Sequence, residues 1–584
     1  MLKPLASISR AQIALWVLYG LPLLLLLWFV ADLGVNVPYW DEWGLVELFR
    51  KTAAHTVGWQ DLWTQNNEHR LLFPKIVFIV LAWLSNWNTK LESYTSIGLV
   101  ILTFWAIHRL AYCQSELPEQ RIYFSSIFTS ICLFSLVQWE NWLWGFQVAW
   151  FLVNACFAIA LLVLTSRIGN AWLKLALASL FCFIASLSLA QGLLTWIAMI
   201  PALITSWRGR KTSQKITLFC AWIGLFLASA YLYSIGYQKP TNHLDIYGYI
   251  RLPLLAANYF FTLLGTPLLY QSKYAAIPGL VLFVSFIGFV VYYVKHLNSS
   301  IADRLSPWVS LGLFTILFAV ITTIGRTGLG IEQAASSRYI TVSILLVISL
   351  IHLWRVGCSE LHPRVANMAV CLKSTTVGGV LALLVLMASI AALPMAEDFH
   401  ARLVRGQSCL DIGIEQTPDS CLQLLYPDVA SLKAAVKDLT QIGFRQPSKP
   451  VTFLSQPSQT YGYIDAPPES ATQSLAVQQN CLNCGDIGLS GWAILPDRHR
   501  LAQLVFISYG NPDATFLTNA YVNSPSLDVA KSLRDSRYAR SRWGANFSPK
   551  LLPIGETLVK AWVYDPDDRQ FVLLTGVRKL RVEE

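Results

Sequence analysis

The chain has 584 residues, of which 54% are hydrophobic and 13% charged, and its formal net charge is +10. Soluble globular proteins carry about 25% charged residues, so this composition excludes a soluble enzyme and a disordered chain. Residues 1–394 hold 25 Lys and Arg against 14 Asp and Glu, whereas residues 395–584 hold 19 against 20. The excess cations lie in short loops between apolar runs, which argues against nucleic-acid binding and indicates a multi-pass membrane protein.

A membrane helix needs about 20 mostly apolar residues, and the stretches that meet this are 11–30, 91–110, 121–138, 145–166, 172–189, 191–206, 215–235, 277–296, 306–324, 339–355 and 373–394. Two more apolar stretches, 71–86 and 253–270, are ambiguous. The cationic loop 208–215, and Lys3 with Arg10, should be cytoplasmic by the positive-inside rule. These anchors favour 11 crossings, with both ambiguous stretches on the outer surface and the C-terminal region extracytoplasmic. A count of 13 stays open.

The polar region divides further, so we predict three domains: 1–394 in the membrane, 395–480 as a helical segment and linker, and 481–584 as a small β-sandwich. Residues 446–480 are rich in Pro, Ser, Gln and Thr, which is typical of a linker. From about residue 486, short apolar runs alternate with turn sequences, as in sandwiches. Outside the cytoplasm, the expected disulfides are Cys409–Cys421 and Cys481–Cys484. The second pair could instead be half of a zinc site.

The first outer loop opens with two adjacent acids, Asp41 and Glu42, between Trp40 and Trp43. Ionised groups near hydrocarbon are costly unless they are paired or face water. One interpretation is that Asp41 caps an amphipathic helix over 42–54. The other is catalytic, because a carboxylate at low dielectric has a raised pKa and can accept a proton from an attacking hydroxyl. The two are compatible, since a capping carboxylate is held rigidly.

Three further groups of polar residues lie in the outer segments, and we predict substrate contacts from Glu68, His69, Arg70, Glu140, Asn141, Gln147, Arg326, Arg338 and Tyr339. The two arginines of the last group stand beside Gly and Ser residues, and a guanidinium fork matches phosphate oxygens. Each group also has a structural interpretation: cations reaching lipid phosphates, an interfacial aromatic belt, or a cytoplasmic loop. Nucleotide-binding and HExxH motifs are absent from the sequence.

Paired acids at the start of the first outer loop, surface-lying helices in that loop, many spans and an outer C-terminal domain resemble the GT-C glycosyltransferases. Members include protein mannosyltransferases, oligosaccharyltransferases and the lipid A aminoarabinose transferase. The resemblance covers roughly residues 1–394. It implies a membrane all-α, GT-C-like bundle of about 11–13 transmembrane helices with an extracytoplasmic C-terminal α+β tail. The WWDYG-type signature is absent, which argues against transfer to asparagine.

The resemblance also implies an activity: transfer of a sugar from a polyprenyl-phosphate donor to a glycan, lipid or protein acceptor at the outer face of a bacterial inner membrane. Asp41 matches the catalytic acid, and Glu42 holds the acceptor or supports Asp41. From chemistry and loop position alone, Arg326 and Arg338 neutralise the departing lipid phosphate. No cofactor is expected, although metal dependence varies in the superfamily and a divalent metal stays open.

Two other functions fit parts of the pattern. An O-antigen-type polysaccharide polymerase also joins lipid-linked glycans and uses arginine-bearing outer loops, but it needs no acidic pair after the first helix. A transporter or flippase for a lipid-linked glycan typically shows internal repeats and charges within its spans. The sequence contains no repeat, and its polar residues gather at helix ends. We therefore favour the glycosyltransferase.

Overall fold

The structure of the chain, a computed structural model, describes residues 10–113, 119–166, 169–239, 252–271, 273–361, 368–415, 417–445, 451–467, 475–479, 486–510 and 515–584. Two compact units are present, and neither is a continuous stretch of chain. The first unit consists of Met1–Gly34 and His55–Glu397. The second unit consists of Val35–Ala54 and Asp398–Glu584.

The first unit is helical. Its α-helices are Arg10–Leu33, Trp59–Trp63, Leu72–Ser85, Thr89–Cys113, Glu119–Leu133, Trp139–Leu143, Val148–Thr165, Ala171–Ser186, Leu194–Ala198, Ile200–Ser206, Thr212–Ser234, Pro253–Gly265, Ala276–Lys295, Ser300–Arg326, Ile331–Ala334, Ser337–Leu361 and Met368–Ile412, the last of which continues into the second unit. Short 3-10 turns occur at Leu136–Gln138, Gly145–Gln147, Ala190–Leu193 and Thr327–Leu329.

In the described part of the chain, eight helices are long and apolar enough to cross a membrane, and five shorter apolar helices accompany them. These match the eleven predicted spans and the two ambiguous stretches. The ambiguous stretches form helices of 14 residues, Leu72–Ser85, and 13 residues, Pro253–Gly265. At 1.5 Å per residue each is about 20 Å long, less than the ~30 Å hydrocarbon core. The membrane all-α class is therefore confirmed.

Two of the helices approach each other closely at glycines. A Cβ on Gly265 would lie 1.9 Å from the Ala275 carbonyl oxygen, and a Cβ on Gly279 would lie 1.8 Å from the Phe261 carbonyl oxygen. Small residues let helix backbones meet in membranes, where packing replaces the hydrophobic effect as the driving force. The short helix Pro253–Gly265 is thus fixed on its neighbour.

The second unit begins in the loop after the first helix, with a 3-10 turn at Trp40–Leu45 and the helix Val46–Ala53. Its C-terminal part adds the helices Asp419–Leu422, Val429–Gln441 and Leu527–Ser532, and 3-10 turns at Pro496–Arg498, Ser536–Tyr538 and Pro549–Leu551. Cys409 and Cys421 are disulfide-bonded, as predicted. Cys481 and Cys484 lie outside the described residues.

The strands are β1 (Gln65–Asn66), β2 (His69–Arg70), β3 (Thr452–Leu454), β4 (Gly462–Ala466), β5 (Leu475–Gln478), β6 (Ile487–Leu495), β7 (Arg500–Leu501), β8 (Leu504–Tyr509), β9 (Thr515–Tyr521), β10 (Arg542–Phe547), β11 (Gly555–Asp565), β12 (Gln570–Leu573) and β13 (Arg578–Glu583). One sheet has the order β10-β6-β4, with β7 on β6. The other has the order β3-β12-β11-β13-β5, with β8 on β11 and β9 on β8.

Both sheets contribute to one apolar core, which includes Ile464, Leu489, Ile507, Val559 and Val563. Pairing is antiparallel except for β3 with β12 and β5 with β13. The strand-rich C-terminal region was predicted, but its extent was not. Strands β3, β4 and β5 fall in the stretch interpreted as a linker, so the sheets begin before residue 481.

Candidate functional site

Glu68 stands in a tight hairpin of the first unit. Strands β1 and β2 pair Gln65 with Arg70 and Asn66 with His69. The chain reverses at Asn67, whose φ of 47° is left-handed, a conformation that Asn tolerates. The Tyr233 hydroxyl donates to the main-chain oxygen of Glu68. The hairpin therefore fixes the direction of the Glu68 side chain.

Glu68 forms an ion pair with Arg326, through Oε1 and Nη2. Nε2 of His69 lies 3.7 Å from the same oxygen. Nδ1 of His69 accepts a hydrogen bond from the Ala190 N–H (3.2 Å), so in the neutral ring Nε2 carries the proton and points it toward Glu68. Burial alone would raise the pKa of Glu68, but His69 and Arg326 outweigh it and hold that pKa below its ordinary value. The carboxylate is therefore ionised at neutral pH.

A second Glu–Arg pair lies between Glu140 and Arg338, whose Nε is 3.9 Å from Oε1 of the acid. Oγ of Ser336 donates to Oε2 of Glu140 (3.1 Å), and the Glu140 N–H donates to Oγ of Ser337 (3.2 Å). The start of the helix Ser337–Leu361 is thus bonded to the turn that carries Glu140. Predicted site residues from two segments that are far apart in the chain meet here.

Asn141 and Gln147 are buried, with exposed fractions of 0% and 4%. Nδ2 of Asn141 donates to the Arg338 carbonyl (2.9 Å) and to Oγ1 of Thr341 (2.6 Å). Asn141 therefore positions the helix that carries Arg338. The Tyr339 hydroxyl accepts a hydrogen bond from Nε2 of Gln333 (3.1 Å).

Tyr259 is buried, and its side chain interacts electrostatically with Arg326, Arg338 and Tyr339. The arginines come from opposite sides of one short connection, at the end of the helix Ser300–Arg326 and at the start of Ser337–Leu361. Sequence reasoning missed Tyr259, because it stands in an apolar run that was read only as a possible membrane helix.

Arg70 has a different environment. Its side chain is 3% exposed, and its guanidinium donates to the carbonyl oxygens of Trp63 (2.6 Å), Ile235 (2.5 Å) and Tyr233 (3.4 Å). It joins the loop between the first two long helices of this unit to the end of the helix Thr212–Ser234. A cavity of about 660 Å³ adjoins it, lined by Trp59, Gln60, Trp63, Thr64, Gln65, Asn67, Arg70, Ile235, Gly236, Gln238 and Lys239.

The acidic pair of the first loop belongs to the second unit. Glu42 is 1% exposed, and its Oε2 accepts a hydrogen bond from the Tyr39 N–H (2.7 Å). The expectation that Asp41 caps a helix over 42–54 is corrected: a 3-10 turn comes first, and the carboxylate that reaches back to a main-chain N–H is that of Glu42. Asp41 remains partly exposed.

Residues far along the chain hold this acidic loop. Trp40 has a left-handed φ of 49°, which is strained for an aromatic residue, and its N–H donates to the Leu425 carbonyl (2.9 Å). The Tyr39 ring meets Phe399 edge-on at 5.0 Å. Nη1 of Arg445 donates to Oδ1 of Asn36 (2.9 Å). No local pattern in the sequence marks these pairings.

Within the described ranges, no three His, Cys, Asp or Glu side chains gather closely enough to hold a metal ion.

No family model and no curated protein matches the chain. Among solved structures, the chain is similar to the crystal structure of ArnT from Cupriavidus metallidurans bound to undecaprenyl phosphate. The two chains are 13% identical, with a TM-score of 0.35, and the alignment covers 77% of this chain and 83% of that one.

Proposed function

We propose that the chain is a GT-C-type glycosyltransferase that moves a sugar from a polyprenyl-phosphate donor to the hydroxyl of an extracytoplasmic acceptor, in a bacterial inner membrane. One observation carries the proposal: Arg326 and Arg338 stand at the ends of two apolar helices, and each forms an ion pair with a glutamate. Guanidinium groups match phosphate oxygens in charge and shape. Their place at helix ends suits the phosphate of a lipid carrier whose chain lies in the bilayer.

The paired acids are compatible with that role. A guanidinium has five N–H donors, and the bond from Arg326 to Glu68 uses one terminal nitrogen. Glu68 therefore orients the guanidinium and leaves other N–H groups for a phosphate. It also lowers the cost of a partly buried positive charge while no phosphate is bound. Glu140, whose Oε1 lies 3.9 Å from Nε of Arg338, likewise lowers the cost of that positive charge.

We assign the base to Asp41. Its carboxylate takes the proton of the acceptor hydroxyl as the hydroxyl oxygen attacks the anomeric carbon. The bond from that carbon to the phosphate oxygen breaks, and polyprenyl phosphate leaves with the electron pair. One displacement inverts the anomeric centre. Glu42 acts through Asp41: its bond to the Tyr39 N–H fixes the turn, and strained residues such as Trp40 are concentrated at functional sites.

The test of the base is Asp41→Asn, which keeps the size of the side chain and removes its charge. Purified protein is given labelled polyprenyl-phosphate sugars, with membrane lipid extract as acceptor. General-base catalysis is worth about 10²–10⁴-fold, so transfer should fall by that factor. The matched control is Glu47→Gln, a nearby exposed acid paired with Arg50, which should keep full activity. Equal transfer by Asp41→Asn and wild type would remove Asp41 as the base.

The arginine assignment is tested by Arg326→Gln and Arg338→Gln in the same assay. We expect the KM for the lipid-phosphate donor to rise, and kcat to fall if the leaving phosphate is also stabilised. The control is Arg210→Gln, because Arg210 is an exposed cation that donates to the Gly169 carbonyl (2.9 Å). Unchanged donor KM and kcat in both variants would contradict the phosphate role.

A further inference from the structure

The cavity of about 660 Å³ beside Arg70 has an aromatic wall. Trp59 and Trp63 lie four residues apart on the short helix Trp59–Trp63, so both rings share one face. Their centroids are 5.4 Å apart and the ring planes differ by 26°. Trp59 is nonetheless 62% exposed. A stacked indole pair with an open outer face lines the cavity.

Hydrogen bonds from side chains to the main chain hold the walls of the cavity in place. Gln65 donates through Nε2 to the Gln238 carbonyl (2.7 Å) and accepts at Oε1 from the Gln238 N–H (3.1 Å). The Arg70 guanidinium donates to the carbonyl oxygens of both Trp63 and Ile235. The aromatic wall and the 235–239 segment are therefore fixed relative to each other before any ligand enters. Such preorganisation lowers the entropy cost of binding.

Exposed amides and a hydroxyl from Gln60, Asn67 and Thr64 also line the cavity, together with Ile235 and Lys239. An amide can donate and accept at once, which matches the hydroxyl groups of a sugar. The C–H face of a sugar ring is flat and apolar, and it packs on an indole face as other apolar groups do. The volume lies within the range of sites for small ligands.

We propose that this cavity is a saccharide-binding site, in which a sugar ring stacks on the exposed ring of Trp59 and bonds to the amides around it, while Trp63 supports Trp59 between that ring and the Arg70 guanidinium. The site goes beyond the proposed transfer reaction, because it needs neither a lipid phosphate nor Asp41. A membrane-interface role is the competing explanation, since Trp is enriched at bilayer surfaces. An interfacial belt, however, does not require amide side chains beside the indole rings.

The test uses the full chain in detergent on a printed array of bacterial and mammalian glycans. The wild type should retain a subset of glycans, and Trp59→Ala should weaken their binding by about tenfold in solution titrations. Trp59→Phe should keep most of the affinity, because a ring remains. Trp105→Ala is the control, since Trp105 is also exposed (49%) and lies on the helix Thr89–Cys113, away from the cavity lining. Asp41→Asn should bind as the wild type does, whatever its transfer activity.

Gln60→Ala is a second variant that leaves the indole stack intact and should also weaken binding of the retained glycans. The proposal is overturned if no glycan is retained, or if Trp59→Ala and Gln60→Ala both bind the same glycans as tightly as the wild type. A Trp59 side chain that faces lipid would also overturn the proposal. In that case, brominated phospholipids in nanodiscs would quench the tryptophan fluorescence of the wild type more than that of Trp59→Phe.

Discussion

Arg70 and Arg326 show how two arginines of one unit are used in different ways. The hydrogen bonds of Arg70 go to three main-chain carbonyls, whereas Arg326 bonds to a carboxylate beside a second Glu–Arg pair. A guanidinium bonded to carbonyls is structural, because its donors already have partners. One bonded to a single carboxylate oxygen keeps donors for an anion. The sequence shows an arginine at both positions. It cannot distinguish the structural role from the anion-binding role, because the hydrogen-bond partners lie far away in the chain.

At position 70 we expect Arg70→Lys to lower the thermal stability of the protein in detergent. A lysine has one nitrogen and cannot reach the carbonyls of Trp63, Tyr233 and Ile235 together, and each buried unsatisfied group costs about 1–3 kcal/mol. The melting temperature, followed by intrinsic fluorescence, should fall by several degrees. Arg210→Lys, at an exposed site, should melt as the wild type does. Identical melting of Arg70→Lys and wild type would contradict the structural role.

The pKa of Glu68 predicts an acid-side loss of stability. Because the folded-state pKa lies below the ordinary value of 4.5, the ionised carboxylate stabilises the folded state above about pH 4.5. That contribution disappears as the pH falls through the lowered pKa. Glu68→Gln should therefore be less stable than the wild type at pH 7, and the gap should narrow below pH 4.5. A gap that stays constant from pH 7 to pH 3.5, in melting curves, would contradict this assignment.

Among the secondary-structure elements, the two helices that meet at Gly265 and Gly279 allow a direct comparison of two glycine variants. A methyl group on Gly279 would collide with the Phe261 carbonyl, whereas one on Gly288 of the same helix meets no atom within 4 Å. We expect Gly279→Ala to lower the melting temperature and Gly288→Ala to leave it unchanged or raise it slightly, since Ala favours helix. If both variants melt alike, the helices do not pack at these glycines.

Helices were more predictable than strands, for a physical reason. A membrane helix satisfies its own backbone and needs about 20 apolar residues in a row, so the signal is local. Strands β3 and β5 are short and pair in parallel with strands more than 95 residues later in the chain. Pairing with those distant strands, rather than a pattern in their own residues, makes β3 and β5 strands. The same limit applies to the site: Tyr259 and Leu425 contribute through position rather than through a motif.

Over the whole molecule, the acidic loop is built by two distant parts of the chain. Nη1 of Arg445 donates to the Asn36 side chain, and the Phe49 ring lies 6.1 Å from that of Phe444. We expect Arg445→Ala to make residues 35–54 more sensitive to limited proteolysis and to reduce sugar transfer. Arg540→Ala, which removes an exposed guanidinium bonded to Asn523, is the matched control. If cleavage and transfer are unaffected in Arg445→Ala, the C-terminal part does not position the acids.

The interleaved second unit also sets an order of events during synthesis. Residues 35–54 leave the ribosome roughly 340 residues before the chain that completes their unit begins, and at about 5–20 residues per second this interval is roughly 20–70 s. Throughout it, the Phe444 ring that Phe49 meets in the folded unit has not yet been synthesised. The acidic pair reaches its final geometry only when translation is nearly finished, so a half-made chain carries no assembled centre into the membrane.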